Sequence, residues 1–234
     1  MLEKGRMKID LGVMNSDSAV IESFYQMGRN LSLSGFATSS ICDKPVKTLE
    51  QIEVYRRVNI KNKNIGSIKK QIEQSRRSSV ILALEMGPID RTNWAIEDKR
   101  VDLLTINPSG EHALRATTAR LASGAEVALE IQIAPLLQTS GLNRSKILKV
   151  YREAIETAND NDMMIVLTSG ARTPIELRAP VAMTHIGRLL GLERSCAEEA
   201  IDEVPSTIIS RNLKKLDPDY VTAGVEVIKE NKRG

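Results

Sequence analysis

A chain of 234 residues, 41% of them hydrophobic, is long enough to bury about 70% of its unfolded surface in one core, so no second domain is required. Its 33 Lys and Arg against 30 Asp and Glu leave a net charge of only +3, too small to announce a nucleic-acid or membrane partner by itself. No apolar run approaches the ~18 residues of a spanning helix, and the charged opening MLEKGRMKIDLGVM holds no secretory stretch, so a soluble, cytoplasmic protein is expected.

Strand-like and helix-like runs alternate along the chain, the pattern of parallel strands joined by crossover helices. Residues 8–13 (KIDLGV) read as the first strand. Asp17 or Ser18 then caps a helix whose apolar face is Val20, Ile21, Phe24 and Met27, with Gly28 helping to end it. Residues 33–41 form a second strand and 53–60 (EVYRRVNI) a third, joined by a loop holding Lys44, Pro45 and Lys47. After a helix over 65–76, the apolar runs 80–85 (VILALE) and 103–107 (LLTIN) read as strands covered on both faces. Between them, 91–99 is a brief helix anchored in the core by Trp94.

A helix over 111–123 is closed by Gly124, and strand 127–133 (VALEIQI) is ended by Pro135. Asn143 caps a helix with Ile147, Val150, Tyr151, Ala154, Ile155 and Ala158 on one stripe. Strand 163–168 (MMIVLT) is the seventh. Helices follow over 180–190, stopped by Gly191, from a Ser195/Glu198 capping box through Val204, and over 206–216. Seven strands without an obvious eighth point to an α/β fold of the TIM-barrel type with one position replaced, the competitor being a doubly wound open sheet. One domain is expected over 1–228, with a polar tail over 229–234.

Two cysteines, Cys42 and Cys196, stand apart with no histidine near, so neither a zinc cage nor a disulfide framework is indicated. Charge is uneven. The window 53–77 carries Arg56, Arg57, Lys61, Lys63, Lys69, Lys70, Arg76 and Arg77 against Glu53 and Glu73, a local +6 of the kind that phosphate contacts use. With aromatics at 3% of the chain, recognition by base stacking is disfavoured, and contact with RNA would go to backbone and shape.

Barrels place function at the carboxyl ends of strands, where this sequence offers Asp10, Glu85, Asn107, Glu130, Gln132, Thr168 and Ser169. Metal-dependent hydrolysis usually adds histidines, yet His112 and His185 both fall in expected helices, and no His-x-His pair follows the first strand. Phosphate-loop, dinucleotide and nucleophile-elbow motifs are all missing. The densest candidate is 168–178 (TSGARTPIELR), where backbone amides and Arg172 suit a phosphate. The alternative is that Glu176 with Arg172 or Arg178 ties the loop to the rim.

Residues 168–212 carry Ser169-Gly170-Ala171, Pro174, Glu176-Leu177-Arg178, Leu189-Leu190-Gly191 and a stretch from Ser206 to Arg211-Asn212. Upstream lie Ala119-Arg120-Leu121-Ala122, 127–130 (VALE) and Pro135-Leu136-Leu137. In this order they resemble the thirty-kilodalton protein subunit family of ribonuclease P, component three in archaea. The resemblance implies a barrel that joins the ribonuclease P RNA, a ferredoxin-like component two and other protein subunits to process precursor tRNA, without a membrane. It also implies that hydrolysis, and the magnesium it uses, belong to the RNA, leaving no catalytic residue and no metal or cofactor in this chain. Candidate RNA contacts are Arg172, Arg178 and Arg211 first, then Arg120, Lys214 and Lys215, with Arg56, Arg57, Lys61, Lys63, Lys69 and Lys70 as an electrostatic second tier. Two other readings compete: a barrel enzyme acting on a phosphorylated small molecule through Glu85, Glu130 and the 168–172 loop, and a protein-interaction barrel facing an acidic partner.

Overall fold

The structure, a computed structural model, describes residues 7–41, 44–217, 220–222 and 225–226. Strand β1 (Ile9–Val13) leads through an Asp17-capped 3-10 turn into α1 (Ile21–Asn30), which buries Ile21, Phe24 and Tyr25. Gly28 lies within this helix and not at its end. Strand β2 (Gly35–Thr38) follows. The expected loop after it contains β3 (Val46–Leu49), paired antiparallel with β4 (Ile52–Ile60). Next come α2 (Ile65–Ser75), whose cap Asn64 accepts from the Ser67 amide, then β5 (Ile81–Glu85), α3 (Ile89–Glu97) and β6 (Leu103–Thr105).

Helix α4 (Ala116–Gly124) starts later than the sequence suggests, leaving exposed His112 in a loop. After β7 (Ala128–Gln132), Pro135 opens the single turn α5 (Ala134–Leu137), where a proline's missing N–H is no loss. The long α6 (Gly141–Asn159) begins after Ser140, so Asn143 is inside it. Strand β8 (Ile165–Thr168) precedes α7 (Pro180–Leu189), α8 (Arg194–Glu199) and α9 (Glu203–Leu216). Ser195 does not cap: α8 starts at Arg194, and Glu198 accepts from the Arg194 guanidinium at 2.9 Å. A short antiparallel pair, β9 (Tyr220–Thr222) and β10 (Val225–Glu226), follows.

Seven strands form a parallel sheet in the order β1-β2-β4-β5-β6-β7-β8, curled so that β1 and β8 lie side by side, a TIM-barrel-like fold. Alternate side chains face inward: Ile9, Leu11, Ala37, Tyr55, Ile81, Ala83, Leu103, Ala128 and Val166 pack together, with Ile208 and Ile209 of α9 closing the amino-terminal end. Opposite-parity residues such as Leu82, Leu104, Leu129, Ile131 and Leu167 pack outward against the helices, where half-buried Trp94 also rests.

No ladder joins β1 to β8. The seam is closed by the turn between α8 and α9, whose Ala200 and Ile201 carbonyls accept from the amides of Leu167 (3.0 Å) and Ile9 (3.1 Å). Beyond it, the Asp10 carboxylate accepts from the amides of Gly12 at 2.9 Å and Ser169 at 3.1 Å, and Met14 N donates to Ala171 O at 2.7 Å. A turn and a carboxylate thus stand where an eighth strand would lie, satisfying amides that are otherwise costly to bury.

Candidate functional site

Inward parity puts Arg57 of β4 and Glu130 of β7 in the barrel's interior, both with fully buried side chains. The guanidinium donates from Nη1 and Nη2 to Oε1 and Oε2 of Glu130 at 2.6 and 2.7 Å, from Nη1 to the Leu11 carbonyl at 2.6 Å, and from Nε to Asn59 Oδ1 at 2.8 Å. Thr168 Oγ1 donates to Glu130 at 2.9 Å, and Thr105 donates to the other carboxylate oxygen. Burial pushes the Glu130 carboxyl up, but Arg57 and the hydroxyls outweigh it and hold it below its usual value. At Asp10, burial outweighs the bonds from Ser169 and Gly12, so that carboxyl is held above its usual value.

Two expectations are corrected here. Arg57 is not a surface charge, because it is sealed inside the barrel with four hydrogen bonds made to Asn59, Leu11 and Glu130. Glu130 is not a free carboxylate at a mouth, because a bidentate ion pair occupies it. The remaining carboxyl-end candidates are also engaged: Asn107 donates to Glu85 at 2.9 Å, Gln132 turns to the Met14 sulfur, and Ser169 Oγ accepts from the Ala171 amide at 3.1 Å. Among the described residues, no three His, Cys, Asp or Glu side chains gather as a metal cage would require.

The 168–178 loop sits on the rim at the carboxyl end of β8. Gly170 adopts φ +67 there, with Gln132 and Ala134 close behind it, so both conformation and space favour glycine. Glu176 folds back and accepts from the amides of Arg172 (2.7 Å) and Thr173 (3.1 Å) and from Gln138 (2.9 Å). The Arg172 amide above all, with the other two donors, holds this carboxyl below its usual value. The amides expected to cradle a phosphate are therefore filled by the loop's own acid. Arg178 Nη1 donates to the Ile175 and Leu177 carbonyls at 2.9 and 2.8 Å. Only the exposed Arg172 guanidinium reaches outward from this loop, its backbone carbonyl held by Asn15 at 3.0 Å.

At the opposite end of the barrel, Asp102 accepts from Arg76 at 2.7 Å, the Leu82 amide at 2.8 Å, Asn212 at 2.7 Å and Arg211 at 3.4 Å. Asn212 also donates to the Val80 carbonyl at 2.8 Å, and Arg211 to Glu126. The Arg211-Asn212 pair thus pins α9 across the strand ends, and Arg211 is a tether with little of its guanidinium left outward. Lys214 and Lys215 are exposed one turn later. Arg120 is exposed on α4 and holds Asn161 at 2.9 Å, while Lys61, Lys63, Lys69 and Lys70 are exposed before and along α2. Half-buried Arg56 donates to the Ser78 carbonyl. The structure therefore distributes the expected contacts over several faces and does not gather them into one site.

Residues 7–216 match the family model described as RNase P subunit p30. Ribonuclease P protein component 3 of Methanosarcina barkeri is 30% identical over 217 residues, covering 90% of each chain. The same component of Methanosarcina acetivorans is 31% identical over 224 residues, covering 92% of each. Among solved structures, a chain of archaeal ribonuclease P with mature tRNA, determined by cryo-EM, shares the fold with a TM-score of 0.80 at 22% identity, covering 96% of this chain and 100% of that one. A prolidase complexed with N-methylphosphonate-L-proline shares the barrel more distantly, with a TM-score of 0.54 at 8% identity over 94% of this chain and 78% of its own. With nearly its whole length matched, the chain belongs to the RNase P subunit p30 family.

Proposed function

We propose that this protein is a non-catalytic subunit of ribonuclease P, which holds the catalytic RNA in its working shape for removal of 5′ leaders from precursor tRNA. Membership of the family carries the reading. The geometry is consistent with it: of the three acids at the carboxyl ends of the strands, two are spent on internal bonds, Glu130 on Arg57 and Asp10 on the seam, while Glu85 is exposed and accepts from Asn107. Partners under this reading are the ribonuclease P RNA, a ferredoxin-like second component and other subunits, with precursor tRNA met through the particle. Magnesium is then carried by the RNA, and the particle works in the cytoplasm. Among the described residues, no helix is long and apolar enough to cross a membrane.

The test is to capture the tagged chain from its native extract and sequence the RNA that comes with it. Ribonuclease P RNA enriched far above ribosomal and transfer RNA supports the reading. An RNA-free chain, or one carrying RNA without selectivity, contradicts it.

A further inference from the structure

Three helices end at the amino-terminal face of the barrel, opposite the rim loop, and each brings basic residues. Arg76 and Arg77 follow α2, Lys99 and Arg100 follow α3, and Lys215 lies in the last turn of α9. Together they line a cleft of about 520 Å³, where Asp217 is the one acid among the described residues. Lys99 is presented by a left-handed backbone (φ +59), its amide bonded to the Ile96 carbonyl.

Basic residues at helix carboxyl ends offset the helix dipoles, and that effect explains part of the cluster. It does not explain the excess. Of the acids nearby, three are already matched: Asp98 to Arg100, Asp102 to Arg76 and Arg211, Glu126 to Arg211. Among the described residues, Arg77, Lys99 and Lys215 make no salt bridge, and all three are exposed. The Lys215 ammonium is held below its usual proton affinity, first by the partial burial of its stem and then by the Arg211 and Arg76 charges, with Asp102 and Glu126 acting the other way.

We propose that this cleft seats consecutive phosphates of a folded RNA strand, with Arg77, Lys99 and Lys215 touching them and Arg76 and Arg100 fixed behind as the wall. The inference rests on the RNA-subunit reading above and places its main contact at the end of the barrel opposite the customary one. Among the described residues no aromatic side chain lines the cleft, so it is proposed to read charge and backbone spacing, not bases.

The test compares wild type with the triple variant Arg77→Gln, Lys99→Gln, Lys215→Gln. Lys146→Gln, Lys149→Gln, Arg188→Gln serves as a charge-matched control on the outer faces of α6 and α7. Each is titrated with transcribed ribonuclease P RNA from about 50 to 200 mM salt, and thermal melting confirms that all three fold alike. The cleft variant should lose about two to three from the slope of log affinity against log salt, so its affinity loss over that range is about fifteen- to sixtyfold smaller than wild type's. The control should keep the wild-type slope. A photo-crosslinker in place of Lys99 should attach to the RNA, and one in place of Leu142 should not. Equal slopes for the cleft variant and wild type, or equal losses in cleft variant and control, overturn the proposal while the RNA-subunit reading stands. A cleft variant that keeps its RNA but drops a protein subunit from the assembled particle overturns it in favour of a protein partner. Wild type that fails to bind the RNA contradicts the earlier reading instead.

Discussion

Arg57 and Glu130 meet inside the barrel through two parallel hydrogen bonds of 2.6 and 2.7 Å, with neither side chain exposed to water. Such a pair stabilises a fold only when further hydrogen bonds serve its remaining donors and acceptors, and here the Leu11 carbonyl, Asn59, Thr105 and Thr168 supply them. Removing one partner strands a charge. Glu130→Gln or Arg57→Met alone should cost about 3–5 kcal/mol in urea unfolding, while Arg57→Met with Glu130→Leu should recover most of that loss. Single variants as stable as wild type would remove the pair from the account of the fold.

The same carboxylate fixes a pH dependence. Glu130 titrates below its ordinary 4.5 in the folded protein, so its contribution is fully present above that value and is lost as pH falls through the lower folded one. Asp10 runs the other way. Its folded value lies above its ordinary 3.8, so its contribution is present below that value and fades as pH rises through the folded one. The stability difference between wild type and Glu130→Gln, read by denaturant melts, should be largest near neutral pH and narrow below 4.5. A difference that is constant or grows in acid contradicts the assignment.

Gly12 is held by its lack of a side chain. A Cβ there would stand 2.5 Å from Thr168 and 2.7 Å from Glu130 Oε1, inside the network that closes the barrel. Gly12→Ala should cost about 1–3 kcal/mol and speed hydrogen exchange at the Ser169 and Met14 amides that bridge the seam. Unchanged exchange there would show that the seam does not depend on this contact.

The strands were legible because buried parallel strands write continuous apolar runs, as 80–85 and 127–133 do. Strand β3 was not, since its middle residues Lys47 and Thr48 are both exposed, which breaks the period-two pattern, and it follows Pro45 as a loop would. The Ser195/Glu198 spacing fits a capping box, but Arg194 competes for Glu198 and starts the helix earlier. Arg57 was misread from charge alone. Its parity matches inward Tyr55, and Glu130 matches inward Ala128, a signal that two opposite charges share one interior. The wall of the cleft was half visible: Arg76 and Arg77 counted in the basic window and Lys215 among the expected contacts. Lys99 and Arg100 are brought to them only by the convergence of helix ends that lie far apart in sequence.

Two neighbouring arginines of the rim loop should separate in experiment. Among the described residues the exposed Arg172 guanidinium makes no hydrogen bond, whereas Arg178 is bonded to the Ile175 and Leu177 carbonyls. Arg172→Ala should reduce the salt slope of RNA binding by about one without lowering the melting temperature. Arg178→Ala should leave the slope unchanged and loosen the loop, costing about 1 kcal/mol. Identical behaviour of the two variants would show that these bonds do not decide which arginine meets RNA.

The most direct measurement is reconstituted processing of precursor tRNA, with the nucleic-acid-free chain assayed alone and again with ribonuclease P RNA, magnesium and the companion subunits. The chain alone should release no 5′ leader, and adding it to the other components should raise their cleavage rate at limiting magnesium. Leader removal by the purified protein alone, abolished by Glu85→Gln, would contradict a non-catalytic subunit, as would a particle whose rate is unchanged when this chain is left out.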